Sequence, residues 1–219
     1  MNDGILLIDK PAGMTSFGVV ARVRRVLTQR QGKKVKVGHT GTLDPFATGL
    51  MILVIGRECK NAGNYSKLDK IYQATIRLGQ NSTTGDIEGE ITDVSDKVPT
   101  QSEIENALKQ FTGEIMQRPP IYSAININGQ RAYDMARAGK QFEIPERQVT
   151  VHSLDLISYS YPELQIRTHV SSGTYIRSLA TDIGKLLGTG AYCTQLRRTN
   201  IAKWSVDQAK LLSDMGIID

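Results

Sequence analysis

Twelve residues, Gly38 to Gly49, constrain the fold of this 219-residue chain more than any other stretch. They read Gly-His-Thr-Gly-Thr-Leu-Asp-Pro-Phe-Ala-Thr-Gly, with three glycines, three threonines, one proline, one histidine and one aspartate. A loop of that composition is costly to order unless its side chains hold it. A short strand, Val35 to Val37, precedes it, and Leu50-Met51-Ile52-Leu53-Val54-Ile55, an apolar run of buried-strand length, follows. Asp44 stands before Pro45, which pushes its backbone toward an extended conformation. The glycine spacing is neither a P-loop nor a dinucleotide fingerprint: no Gly-Lys-Ser/Thr is present and no helix follows. Read blandly, Asp44 is a turn residue bonding its own loop. Read functionally, it is a carboxylate displayed between two strands.

Around this loop the periodicities alternate between strand and helix. Residues 4–8 read as a strand, and Ser16 as the N-cap of a helix with Phe17, Val20, Val23 and Leu27 on one face and Arg22 and Arg25 on another. Residues 71–78 alternate, with Tyr72, Ala74, Ile76 and Leu78 on one side. Thr100 and Glu103 form a capping box for a helix carrying Ile104, Ala107, Leu108 and Phe111 inward. Residues 113–146 are unusual for a core, containing Arg118-Pro119-Pro120, Gly129, Gly139 and Pro145, and read as a functional excursion such as a clamp or lid. Paired strands over 148–159 and 163–170 follow. A helix from about Tyr175 to Leu187 then turns Ile176, Leu179, Ile183 and Leu186 inward and ends at Gly188. A last strand and a short helix near Val206–Leu212 complete the pattern. It specifies one mixed α+β domain with a largely antiparallel sheet flanked by helices.

Charge narrows the partner. Between Lys10 and Leu43 there are eight basic residues and no acidic one, whereas Asp86 to Glu105 carries seven acidic residues. With a net charge of +5, this polarity fits a phosphate-bearing partner on one face. Cys59 and Cys193 are not in a C-x-x-C pair and read as free thiols. His39, His152 and His169 lack metal-ligand spacing, so neither metal nor cofactor is expected. No apolar run approaches a membrane span. The N-terminus lacks the basic start and apolar core of a signal peptide, so the cytoplasm is the expected location.

Gly38–Gly49 resembles the motif of the TruB family of tRNA pseudouridine synthases, in which the aspartate is catalytic; here that is Asp44. Further stretches resemble the family in the same order. Lys10-Pro11-Ala12-Gly13-Met14-Thr15-Ser16 is similar to its N-terminal motif, implied to help shape the loop and the RNA surface, and Asp69-Lys70-Ile71-Tyr72-Gln73-Ala74 to the segment whose tyrosine stacks on the target base. Gln117-Arg118-Pro119-Pro120-Ile121-Tyr122-Ser123-Ala124 resembles the thumb-like insertion that grips the T-arm, here about 113–146. Gly173-Thr174-Tyr175-Ile176-Arg177-Ser178-Leu179 resembles the segment whose arginine pairs with the catalytic aspartate, and Leu196-Arg197-Arg198-Thr199 the last conspicuous motif.

The resemblance implies the pseudouridine synthase fold and an isomerase that converts the T-loop uridine (position 55) of tRNA without cofactor; a monomer is expected because an RNA-binding groove needs free surface. It implies Asp44, Tyr72 and Arg177 as catalytic residues. His39 is implied against the RNA, Tyr175 is expected as a wall of the uridine pocket, and the basic residues Lys10, Arg22, Arg197 and Arg198 are expected as phosphate contacts. Each has a plainer reading: Tyr72 as an ordinary strand tyrosine, Arg177 as solvated or paired with Asp182, His39 as a satisfied loop histidine. Extruding the nucleotide costs a few kcal/mol, and stacking on an aromatic face returns about 1–3 kcal/mol. The carboxylate has three routes open to it: addition to C6, attack at C1′, or removal of a ribose proton.

Two departures from the family stand out. Many members continue into a C-terminal PUA domain, for which residues 1–219 leave no room, so a single catalytic domain is expected. A lysine usual after Tyr-Ser-Ala is replaced by Ile125-Asn126-Ile127-Asn128. Competing readings are a non-catalytic RNA chaperone, a synthase for another T-loop-like RNA, and a basic protein with a small-molecule substrate. Asp44 favours the enzyme, and the lack of a phosphate loop or cofactor motif disfavours the last.

Overall fold

The computed structural model describes residues 3–127 and 129–217; Asn128, the end of the substituted stretch, lies outside them. In chain order the elements are β1 (Gly4–Lys10), α1 (Ser16–Gln31), β2 (Val37–His39), β3 (Thr48–Ile55), α2 (Ala62–Ser66), β4 (Lys70–Leu78), β5 (Gln80–Ser82), β6 (Ile91–Asp93), α3 (Gln101–Gln110) and β7 (Gly113–Gln117). They continue with β8 (Asn126–Ile127), β9 (Gln130–Arg131), α4 (Ala132–Arg137), β10 (Arg147–Ser160), β11 (Glu163–Val170), α5 (Ile176–Leu187), β12 (Ala191–Ile201) and β13 (Trp204–Ser205). No helix among the described residues is long and apolar enough to cross a membrane.

The chain forms two compact units, one of Met1–Tyr72 with Leu196–Asp219, the other of Gln73–Gln195. In the first β3 lies between β1 and β12, with β2 also paired to β3; in the second the order is β11-β10-β7. β1 and β3 are antiparallel with Lys10 opposite Gly49, and the end of β12 is parallel to β3 with Arg198 also opposite Gly49. The architecture is mixed α+β, as the periodicities specify.

In the first unit β3 is buried on both faces, which explains its unbroken apolar sequence. Met51, Leu53 and Ile55 join Leu6, Ile8 and the α1 residues Val19, Val20, Val23 and Leu27 in one core. Leu50 and Ile52 join Ile201, with Tyr65, Leu68 and Trp204 beside them, in another. The inward stripe of α1 therefore runs through Val19 rather than Phe17, which is 63% exposed and carries the Arg24 guanidinium 5.9 Å from its ring centroid. The N-cap is Thr15, whose hydroxyl accepts from Gly18 N at 2.9 Å, and not Ser16.

In the second unit β7, β10 and β11 pair antiparallel. α3 packs against α5 and β10. Its expected capping box is present, with the Thr100 side chain accepting from Glu103 N and Glu103 accepting from Thr100 N. On α5 the buried residue of the last turn is Leu187, and Leu186 is exposed. The Val206–Leu212 helix is reduced to single 3-10 turns at Val206–Gln208 and Ser213–Met215.

Candidate active site

The loop that carries Asp44 is fixed on both sides of that residue. Before it, the Ser16 hydroxyl accepts from Leu43 N at 2.8 Å and donates to Leu43 O at 2.9 Å. After it, Pro45 O accepts from Gly13 N at 2.8 Å and from the Lys10 ammonium at 3.1 Å. Lys10 is fully buried and also donates to Pro11 O and Met14 O, each at 2.7 Å. Within the loop Ala47 N donates to Asp44 O at 3.2 Å. Asp44 itself is half-buried. The Lys-Pro-Ala-Gly-Met-Thr-Ser segment thus exists to clamp a second loop. Its glycine, at φ 78°, adopts a left-handed turn that a side chain would strain.

The start of the loop rests on buried cations. Arg198 is 1% exposed, and its guanidinium donates to Leu50 O (2.7 Å), Gly41 O (3.1 Å) and Thr42 O (3.5 Å). Lys70 is also buried and donates to Ser66 O at 3.0 Å and to Leu68 O. A Cβ placed on Gly41 would lie 3.6 Å from Arg198 Nη1 and 3.8 Å from Lys70 Cε, so both cations underlie that residue. Burial, then the Arg198 charge, lowers the Lys70 ammonium pKa to about 8, with Asp69 opposing. His39, at the end of β2, is held below its ordinary value of 6.5 by burial and by Arg198. Its Nδ1 is buried without a hydrogen-bond partner.

Gly49 shows why the end of the loop must be glycine. Its φ is 109°, and a Cβ there would meet Arg198 O at 2.3 Å and Arg198 N at 2.7 Å. The β3–β12 pairing closes only over a bare backbone at that point.

The expected RNA contacts separate into two kinds. Lys10 and Arg198 are buried and engaged by carbonyls, so their side chains hold the loop and do not extend to phosphate. Arg197 makes a two-pronged pair with Asp9, at 2.7 and 3.1 Å, with its side chain 40% exposed. Arg22 is half-buried on α1. Tyr72 is buried on β4, two residues from Lys70 and on the same face of the strand.

Arg177 and Tyr175 belong to the second unit. Arg177, in the first turn of α5, is buried and not solvated, and its carboxylate partner there is Asp86, not Asp182. The pair is 3.4 Å apart with both side chains 3% exposed. The guanidinium also donates to Thr84 O at 2.7 Å and Tyr122 O at 2.9 Å. Asp86 accepts from the Thr84 hydroxyl at 2.6 Å and from Glu88 N at 3.0 Å. Tyr175 is half-buried and held by Gln117, whose amide accepts from Tyr175 N at 2.8 Å and donates to Tyr175 O at 3.1 Å. The Arg147 guanidinium lies 5.3 Å from the Tyr175 ring centroid and bonds Gly173 O.

Three of these positions are not set apart as site residues by local pattern. Ser16 reads as an N-cap; a serine beside a threonine at a helix start leaves that choice open. Asp86 sits in an acidic stretch whose other members are largely exposed, and no pattern sets it apart. Lys70 was legible, since the alternation that turns Tyr72 inward turns Lys70 inward too.

This arrangement, a carboxylate on a clamped loop over a basic floor, belongs to a chain with clear relatives. Residues 24–176 match the model of the TruB family pseudouridylate synthase N-terminal domain. The tRNA pseudouridine synthase B of Aromatoleum aromaticum is 46% identical over 96% of this chain and 67% of its own length. That of Burkholderia lata is 43% identical over 99% of this chain and 66% of its own. A solved chain from a Cbf5-Nop10-Gar1 complex superposes with a TM-score of 0.74 at 29% identity, covering 96% of this chain and 53% of its own. The chain thus spans about two thirds of the length of these curated relatives and about half of the solved one. On the family match, the identity and the shared motifs together, this chain belongs to the TruB family of pseudouridylate synthases.

Proposed function

We propose that the chain isomerises a tRNA uridine to pseudouridine, acting on the T-loop uridine (position 55) through the T-arm, as a cytoplasmic monomer. The observation that carries this reading is the double anchoring of the Asp44 loop, by Ser16 at Leu43 and by Lys10 and Gly13 at Pro45. A carboxylate held at both neighbours keeps its direction when a nucleotide arrives, and placing a reacting group in advance lowers the barrier. The reaction breaks the N1–C1′ bond, turns the base and forms C5–C1′; the C5 proton is lost to solvent and N1 takes one up, so uridine and product are isomers. It is redox-neutral.

In this reading Asp44 is the catalytic carboxylate, Tyr72 the face on which the base stacks, and Arg177 the cation that serves the reaction. His39, neutral at pH 7 because burial disfavours its charged form, assists extrusion of the base. Tyr175 walls the uridine pocket. The 113–146 excursion grips the RNA, with Arg22 and the exposed part of Arg197 as phosphate contacts. The names of the curated relatives support tRNA as the substrate.

Release of tritium from an unmodified T-arm transcript labelled at uridine C5, without metal or cofactor, tests the reading. Release by the wild type and none by Asp44→Ala supports it. Tight RNA binding without release would replace it with a chaperone.

A further inference from the structure

Lys70 and Arg198 are an unusual pair. Both are buried, each opposes the other's charge, and neither forms an ion pair with a carboxylate among the described residues. Carbonyl oxygens are their hydrogen-bond partners. Burying like charges together costs free energy that apolar residues of similar volume would avoid.

The Lys70 Cε lies 3.8 Å from where a Gly41 Cβ would stand, and Gly41 is three residues, at most about 11 Å of chain, from Asp44. Lys70 also shares a face of β4 with Tyr72. The charged groups around it are Arg198 on β12 and the adjacent Asp69, with His39 next to Arg198.

We propose that Lys70, backed by Arg198, stabilises the negative charge that collects on the uracil ring when its bond to the ribose breaks. This rests on the isomerase reading above. On every route open to Asp44 the electron pair of the N1–C1′ bond stays with the base until C5 uses it to bond C1′; loss of the C5 proton is then matched by proton uptake at N1. A fixed positive potential in a dry site favours that stage over the neutral starting uridine. Lys70 acts through the field; it touches neither the base nor the ribose and is not a catalytic residue.

The test uses the full chain with Lys70→Met and Lys70→Arg, measured by single-turnover tritium release at saturating T-arm transcript from pH 6.5 to 9.5. Lys70→Met is expected to slow the step roughly tenfold or more, with the half-saturating RNA concentration unchanged and Tm equal to or above that of the wild type. Lys70→Arg is expected to restore most of the rate. Because the ammonium titrates at about 8, the wild-type rate should fall above that pH while the Lys70→Arg rate holds. A wild-type rate in Lys70→Met overturns the inference. So does a joint loss of rate and Tm that arginine does not rescue, which marks a purely structural lysine. A silent wild type overturns the isomerase reading itself, and this inference with it.

Discussion

Asp86 and Arg177 form an ion pair 3.4 Å apart in which each side chain is only 3% exposed. The carboxylate is oriented by the Thr84 hydroxyl, and the guanidinium by the carbonyls of Thr84 and Tyr122. Asp86→Asn removes the carboxylate charge from this buried pair and should cost about 1–3 kcal/mol in urea unfolding. The single-turnover rate should fall with little change in RNA affinity, because Arg177 is assigned to the chemical step.

Ser16→Ala removes both hydrogen bonds that fix Leu43 and leaves that backbone unit without its partner. The expected loss is about 1–3 kcal/mol of stability. The freed loop misplaces Asp44, which should lower the rate by up to about 100-fold. Urea titration and single-turnover release on the same preparation measure the two effects separately.

Gly49→Ala places a methyl group 2.3 Å from Arg198 O at a φ of 109°. Backbone strain alone costs about 1–3 kcal/mol, and the clash adds to it by separating β3 from β12. The expected result is protein recovered mainly in the insoluble fraction, with a lowered Tm in whatever stays soluble. Gly41→Ala serves as the control, since its Cβ would sit at ordinary contact distances of 3.6 and 3.8 Å.

The lowered His39 pKa has a defined sign. Burial disfavours the imidazolium in the folded state, so as pH falls through 6.5 the unfolded chain takes up a proton that the folded chain resists. Stability from this group is complete above 6.5 and is lost on acidification. The wild-type urea midpoint should therefore drop between pH 7.5 and 5.5 by more than that of His39→Asn.

Much of this architecture was legible because it follows local periodicity. The β4 alternation, the Thr100–Glu103 box, the β10–β11 pair and the Gly188 stop all rest on near neighbours in sequence. The errors lie where tertiary context decides between adjacent residues. Phe17 and Val19 are both apolar at the start of α1, and only the position of β3 selects Val19. Leu186 and Leu187 pose the same choice at the end of α5. Within the site, Asp44 was legible from its motif. The clamp from Ser16 and the buried partner Asp86 were not, because each contact links segments that sequence spacing does not relate: Ser16 to Leu43, and Asp86 to Arg177. The enclosure of Lys10 and Arg198 is not legible either, because charge alone does not tell a buried cation from an exposed one, whereas both side chains are buried and donate to carbonyls.

The central claim is that Asp44 carries the chemistry from a loop anchored at both its neighbours, Leu43 and Pro45. Asp44→Asn is nearly isosteric and leaves the Ser16 and Lys10 anchors in place. The deciding measurement is tritium release from a C5-labelled T-arm transcript by this variant and the wild type, with circular dichroism and RNA binding recorded on both. The expected result is a folded variant that binds RNA like the wild type and releases no tritium above background. Release at a comparable rate from Asp44→Asn would contradict the assignment and move the search for the catalytic group elsewhere in the chain.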